Sequence, residues 1–276
     1  MTKKEQTIKF FKSSHGEIAY TDTGTGDQPL ILVHGLPTAK ELWLPVLPHL
    51  NKNFRVVTFD LNDYGQSEKS NRPISHKNRA DVLDELRRHV GIDKFFLAAH
   101  DLGSSVAVDY MGKYSQFVRK LVLMSPPVYP DFVEPVLVKL VRLPWIGEFS
   151  VFIMRSLLFK IGIRRGLVNK NRFTPELLEA FSGGFTGKAG RAALLRVLRW
   201  GRPHIMFKDY PGIIKNIPVP TLVIQGKKDP YIPISHVHRL EKDIKESKLL
   251  IIEKGAHFLP IDTPEQVASA INKFIG

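Results

Sequence analysis

The stretch FFLAAHDLGSSVAV, residues 95 to 108, runs from five apolar residues into His100 and Asp101 and then into small residues at helical spacing. Burying a carboxylate is costly unless the site pairs or uses its charge. A sharp strand-to-helix turn that presents its central side chain holds that residue in a strained conformation and tolerates only small residues two positions to either side. Ala99 and Gly103 meet that demand for Asp101. Centring the same pattern on Ser104 puts Leu102 and Val106 at the flanks, and centring it on Ser105 gives Gly103 but sets Ala107 a turn into the helix. A carboxylate so placed is ionised at neutral pH and needs no base to attack a saturated electrophilic carbon, which gives an alkyl ester with the protein. Taken alone, an aspartate at such a junction reads first as a helix N-cap.

The elements that must position Asp101 follow from periodicity. Short apolar runs at Glu17–Thr21, Leu30–Val33, Arg55–Phe59, Phe95–Ala99, Leu121–Met124, Thr221–Ile224 and Leu249–Ile252 alternate with helical patterns such as Asp81–Val90, the signature of a mostly parallel sheet flanked by helices. Thr263, Pro264 and Gln266 predict a capping box at the start of the last helix. Between Pro126 and about Gly212 the alternation stops, and helical patterns with Gly and Pro breaks replace it. The expected organisation is an α/β core of residues 1–125 and 212–276, with residues 126–211 as a helical cap over the C-terminal edge of the sheet, where open α/β sheets bind ligands.

Composition narrows the function classes. The 276 residues include no cysteine, which removes disulfides, thiolate metal sites and cysteine nucleophiles and fits a reducing, cytoplasmic setting. The start, MTKKEQTIKF, lacks the apolar core of a signal peptide, and no run of about 18 uncharged apolar residues predicts a spanning helix. A net charge of +13 invites a nucleic-acid reading, yet no basic arm, aromatic RNA-binding signature or zinc-finger spacing accompanies it. Residues 126–210 carry +8 of that charge, as cations punctuating apolar runs. Such cations snorkel at the edge of a buried face, and the alternative is weak peripheral contact with an anionic membrane through the cap. The chain is expected as a monomer or homodimer.

Five segments in order, LVHGLPTAKELW, VVTFDLNDYGQSEKS, LAAHDLGSS, TLVIQGKKDPYIP and EKGAHFLPIDTPEQV, resemble the α/β-hydrolase superfamily, and within it the aspartate-nucleophile branch of epoxide hydrolases and haloalkane dehalogenases. The resemblance covers nearly the whole chain outside the cap and implies the α/β-hydrolase fold. It implies Asp101 as nucleophile, His257 as the base that activates water against the resulting ester, and Asp229 as the acid that orients the imidazole. Asp131 is a weaker candidate for that acid. Backbone N–H groups of Leu36 and Leu102 are the expected oxyanion donors. His34, Gly35, Pro37 and His100 support the motif, the two histidines as loop-stabilising groups, and Asp60, Gly65 and Ser67 hold a turn. Neither metal nor organic cofactor is called for.

The resemblance departs from each subfamily. Haloalkane dehalogenases carry side-chain N–H donors for the halide, one of them just after the nucleophile, where this chain has Leu102; Leu36 offers none either. Epoxide hydrolases use two cap tyrosines, at positions that fall near Phe149 and near Arg199 to Gly201, and no tyrosine stands there. Tyr129, Tyr210 and His204 are the candidate replacement proton donors. The HGxP motif of His34 to Pro37 favours an epoxide hydrolase-like enzyme. A haloalkane dehalogenase-like or esterase-like hydrolase is the alternative, and a non-catalytic ligand-binding protein is the alternative of another class. Cap residues Trp145, Phe149, Phe152, Phe159, Phe181, Phe185 and Trp200 point to a small hydrophobic substrate.

Overall fold

In a computed structural model, which describes residues 7–70, 75–154, 157–199 and 201–276, the sheet consists of β1 (Lys9–Ser13), β2 (Gly16–Asp22), β3 (Gln28–Val33), β4 (Phe54–Phe59), β5 (Phe95–His100), β6 (Val118–Met124), β7 (Thr221–Gly226) and β8 (Ser247–Ile252). Its order is β1-β2-β4-β3-β5-β6-β7-β8, antiparallel at β1/β2 and β2/β4 and parallel elsewhere. The segments LILV of β3 and FFLAAH of β5 are buried throughout, as strands covered on both faces must be. Because β3 pairs with β4 on one side and β5 on the other, the chain reverses direction across the sheet there, and a crevice opens at the C-terminal ends of β3 and β5.

All seven expected strands are present. The additional edge strand β1 carries little hydrophobic signal because only Phe11 of its five residues is buried. Helix α1 (His76–His89) begins earlier than the periodicity of residues 81–90 indicates, since Ser75 and Asn78 form a reciprocal capping box. The capping box expected at Thr263 does not form. A short helix ends immediately before it, so Thr263 Oγ1 donates back to Leu259 O at 3.4 Å and the last helix starts uncapped by that side chain.

Helix α2 (Leu102–Tyr114) follows the elbow. Between β6 and β7 the described residues form no strand. They form α3 (Val136–Val141), α4 (Ile146–Met154), α5 (Leu157–Arg165), α6 (Pro175–Gly183), α7 (Gly187–Arg199), α8 (Pro203–Met206) and α9 (Tyr210–Lys215). After β7 come α10 (Ile234–Asp243), α11 (Leu259–Asp262) and α12 (Pro264–Ile275). The boundary expected at 211/212 falls inside α9, which packs on α2. There the buried Tyr210 hydroxyl donates to Asp109 Oδ2 at 2.7 Å and lies 2.9 Å from Ser105 O. Among the described residues no helix is long and apolar enough to cross a membrane. The MTKKEQ start and Trp200 lie outside the described residues.

Burial pushes the Asp109 carboxyl up to about 6, against the hydrogen bond from Tyr210. Replacing Tyr210 with Phe removes that donor and leaves the carboxyl buried. The variant is expected to lose about 1–3 kcal/mol of stability, read as a lower urea midpoint, and an unchanged midpoint contradicts the assigned bond.

Candidate active site

The loops after β3, β5, β7 and β8 converge at one end of the sheet. Asp101 holds φ +51° and ψ −124°, a conformation that costs a non-glycine residue free energy and persists only where its surroundings enforce it. Its N–H donates to Met124 O at 2.9 Å, tying the bend to β6. Close backbone approach supplies the rest. A Cβ on Gly103 would fall 2.5 Å from His34 O, and one on Gly35 would fall 2.6 Å from Asp101 Cβ. The small residue expected at position 103 is therefore demanded by the contact of α2 with the loop after β3.

The two carboxylate oxygens of Asp101 have different partners. Oδ1 accepts the Leu36 N–H at 2.8 Å, and the Leu102 N–H also bonds this carboxylate. Oδ2 lies 3.4 Å from Nε2 of the buried His257. The other ring nitrogen, Nδ1, is 2.9 Å from Asp229 Oδ2, while Asp229 Oδ1 accepts the N–H groups of Tyr231 and Ile232 at 2.8 and 3.0 Å. The carboxylate fixes Nδ1–H as a donor and turns Nε2 toward Asp101.

Burial alone would lower the His257 pKa, but the Asp229 and Asp101 carboxylates overcome it and raise it to about 10. Burial likewise pushes both carboxyls up, and the imidazole's hydrogen bonds and charge carry each below the usual carboxylate range. At neutral pH the site is an imidazolium held between two carboxylates. Two more histidines nearby are neutral, because burial drops both His34 and His100 to about 4. His34 donates from Nδ1 to Gly35 O and accepts the Leu61 N–H at Nε2, each at 3.0 Å. His100 Nε2 donates to His257 O at 2.9 Å and braces the histidine loop.

Hydroxyls near the bend are directed elsewhere. Ser104 Oγ donates to Ala99 O at 3.1 Å and Ser105 Oγ to Pro127 O at 2.7 Å, and both side chains are buried. Asp131 is exposed beside Arg239, away from the imidazole.

A cavity of about 560 Å³ opens on Asp101 and His257, with Leu36, Pro37 and Leu102 at its floor. None of the three candidate proton donors in or beside the cap lines it. Tyr129 donates to Asp243 Oδ2 at 2.8 Å under Arg239, Tyr210 is buried against α2, and His204 sits exposed on α8. Sequence names a residue type but not the direction in which packing turns its side chain. The cap aromatics divide as well. Phe159 lines the cavity, Phe181 and Phe185 are packed inside, and Trp145, Phe149 and Phe152 face outward, Trp145 with 87% of its surface exposed.

Polar residues of the cavity wall that escape the motif reading include Tyr231, His76 and Arg79, beside Glu134, which Arg142 binds, and the exposed Arg165. Tyr231 packs edge-on against the His257 ring, 5.0 Å between centroids, and its hydroxyl donates to Gly162 O at 2.6 Å. Its place two residues after Asp229 is a usable signal. For Arg79 the signal is a cation in the first turn of a helix that has no acidic residue there.

Comparison with known proteins agrees with this architecture. The family described as alpha/beta hydrolase fold matches residues 28–151, and a serine hydrolase family matches residues 182–269, a span that includes Asp229 and His257 but not the elbow. A Synechocystis protein named "Putative non-heme chloroperoxidase" is 30% identical, the alignment covering 94% of this chain and 95% of that protein. Haloalkane dehalogenase 2 of Mycobacterium bovis is 25% identical over 97% of this chain and 94% of its own length. The crystal structure of the haloalkane dehalogenase DbeA from Bradyrhizobium elkanii superposes with a TM-score of 0.86 at 22% identity, covering 98% of each chain. With this sheet order, this convergence of loops and this near full-length similarity, the chain belongs to the α/β-hydrolase superfamily, with relatives in its haloalkane dehalogenase branch.

Proposed function

We propose that this chain is a hydrolase that works through a covalent ester on Asp101 and opens epoxides of apolar substrates. The observation that carries the reading is the division of labour at the Asp101 carboxylate: Oδ1 rests on the Leu36 N–H, and Oδ2 faces the imidazole and the cavity. In the first step Oδ2 attacks a ring carbon, the carbon–oxygen bond breaks, and the alkoxide takes a proton from the His257 imidazolium. Forming the ester removes one of the two negative charges that raise the imidazole's pKa, so the proton becomes available as it is needed. In the second step neutral His257 takes a proton from water, and hydroxide adds to the ester carbon. The developing charge falls on Oδ1, where the Leu36 N–H already points, with the Leu102 N–H beside it on the same carboxylate; loss of one such donor typically costs about 10²–10³-fold. Collapse releases the diol and returns the carboxylate and imidazolium of the resting enzyme.

The proton balance favours ring opening over halide displacement, since a departing halide has no use for the proton that the resting site holds. Leu36 and Leu102 also give a halide no side-chain donor. The cap over the cavity, residues 126–211, supplies much of the apolar wall.

Three tests follow. A His257→Gln variant mixed with 1-bromohexane keeps the nucleophile but loses water activation, so intact-protein mass should rise by one hexyl group on the peptide that contains Asp101. Binding with no adduct, for bromide and epoxides alike, supports the ligand-binding alternative instead. Asp101→Asn should lower turnover about 10⁴-fold or more without unfolding the chain. In the same variant the His257 pKa, read by ¹⁵N NMR titration, should fall by about 1–3 pH units because a neighbouring negative charge is gone. An unmoved pKa contradicts the coupling on which the proton transfer depends.

A further inference from the structure

Among the described residues the fully buried cations are paired, with one exception. Lys40 meets Asp60 at 2.9 Å, Arg87 meets Asp84 at 2.8 Å, and the half-buried Arg196 meets Asp63 at 2.8 Å. Arg79, with 3% of its surface exposed, forms no ion pair among the described residues and lines the cavity beside neutral His76. Its Nη2 donates to Asn62 O at 3.3 Å and its guanidinium lies 5.5 Å from the centre of the Tyr64 ring, while the buried Nε makes no hydrogen bond among the described residues. Asp63 attracts it through space, but the Asp63 oxygens are taken up by Arg196. Its helix position is adverse too, because the first turn of α1 favours negative charge. Leaving a guanidinium buried without a counter-charge is expensive, and burial pushes its pKa down accordingly.

We infer that Arg79 is the anion-binding end of the cavity, and that the natural substrate is an amphiphile whose single carboxylate pairs with Arg79 while its apolar body reaches toward Asp101. One guanidinium balances one negative charge and presents paired donors suited to a carboxylate. Between the two ends the wall is mainly apolar, with Phe159, Leu194, Leu198, Met206 and Phe207; its other charged residues are Glu134, already bound by Arg142, and the exposed Arg165. At the other end His257 offsets the charge of Asp101 and Asp229, so Arg79 is the buried cation that the cavity offers a carboxylate without a competing ion pair. The inference rests on the proposed reaction for what happens at Asp101, but not for the binding itself.

Calorimetric titration of the full chain with octanoate and with octanamide tests it. The two probes share an apolar tail and differ in charge. Octanoate should bind at least about tenfold more tightly, a difference of about 1.4 kcal/mol. That preference should vanish in Arg79→Gln and survive in part in Arg79→Lys. The melting temperature of Arg79→Gln should hold or rise, since no ion pair is lost; a purely structural arginine would lower it. Equal binding of the two probes to the wild type, no binding of either at millimolar concentration, or a preference that persists in Arg79→Gln overturns the inference. An octanoate preference without a hexyl adduct in the bromide trap removes the Asp101 ester and keeps the anion site. An adduct without the preference does the reverse.

Discussion

Three charged groups at the bottom of the cavity set the terms for everything around them. Burial disfavours the ionised form of Asp101 and Asp229 and the protonated form of His257, and each group offsets that cost for the others. Breaking one member of such a set strands the rest, typically at a cost of about 3–5 kcal/mol. The arrangement therefore gives the site one well-defined resting state. It also gives the site a way to change state, because converting one carboxylate to a neutral ester alters the proton affinity of the imidazole without moving an atom of the scaffold.

The fold exists, at this end of the sheet, to hold that set in register. Strand β5 delivers Asp101 into a bend that only close backbone packing sustains, and Gly35 and Gly103 are the positions where the packing leaves no room for a Cβ. The Leu36 and Leu102 N–H groups reach the Asp101 carboxylate from the loop after β3 and from the bend itself, so the geometry of the carboxylate and its donors is set by backbone structure rather than by a meeting of independent side chains. His100 then ties the histidine loop to the end of β5 through the His257 carbonyl. Side chains positioned by backbone contacts of this kind lose little freedom when a ligand binds.

How much of this could be read from the sequence depends on how local each signal was. Strands with continuous apolar runs and the bend at Asp101 are legible because periodicity and small flanking residues act within a few positions. Asp229 and His257 are legible through their motif contexts, and they do meet at 2.9 Å. Strand β1 is obscure because an edge strand with one buried residue has almost no hydrophobic pattern. Thr263 misleads because a capping signature says nothing about a helix that ends just before it. Tyr129, in the loop after β6, and Tyr210, at the start of α9, have the right chemistry but face away from the cavity, a matter decided by tertiary packing. Arg79 is the opposite case, an ordinary residue in an amphipathic helix whose importance lies in the counter-charge that the fold withholds from it.

The most direct measurement is the fate of oxygen in a single turnover. Enzyme in excess over an epoxide that it converts is run in H₂¹⁸O, and the diol and the Asp101 peptide are both weighed by mass spectrometry. An ester intermediate predicts an unlabelled diol and ¹⁸O in the Asp101 carboxylate, because water adds to the carboxyl carbon and not to the substrate. Label in the first diol with none in the peptide would mean that water attacks the substrate directly, and the account built on Asp101 would fail.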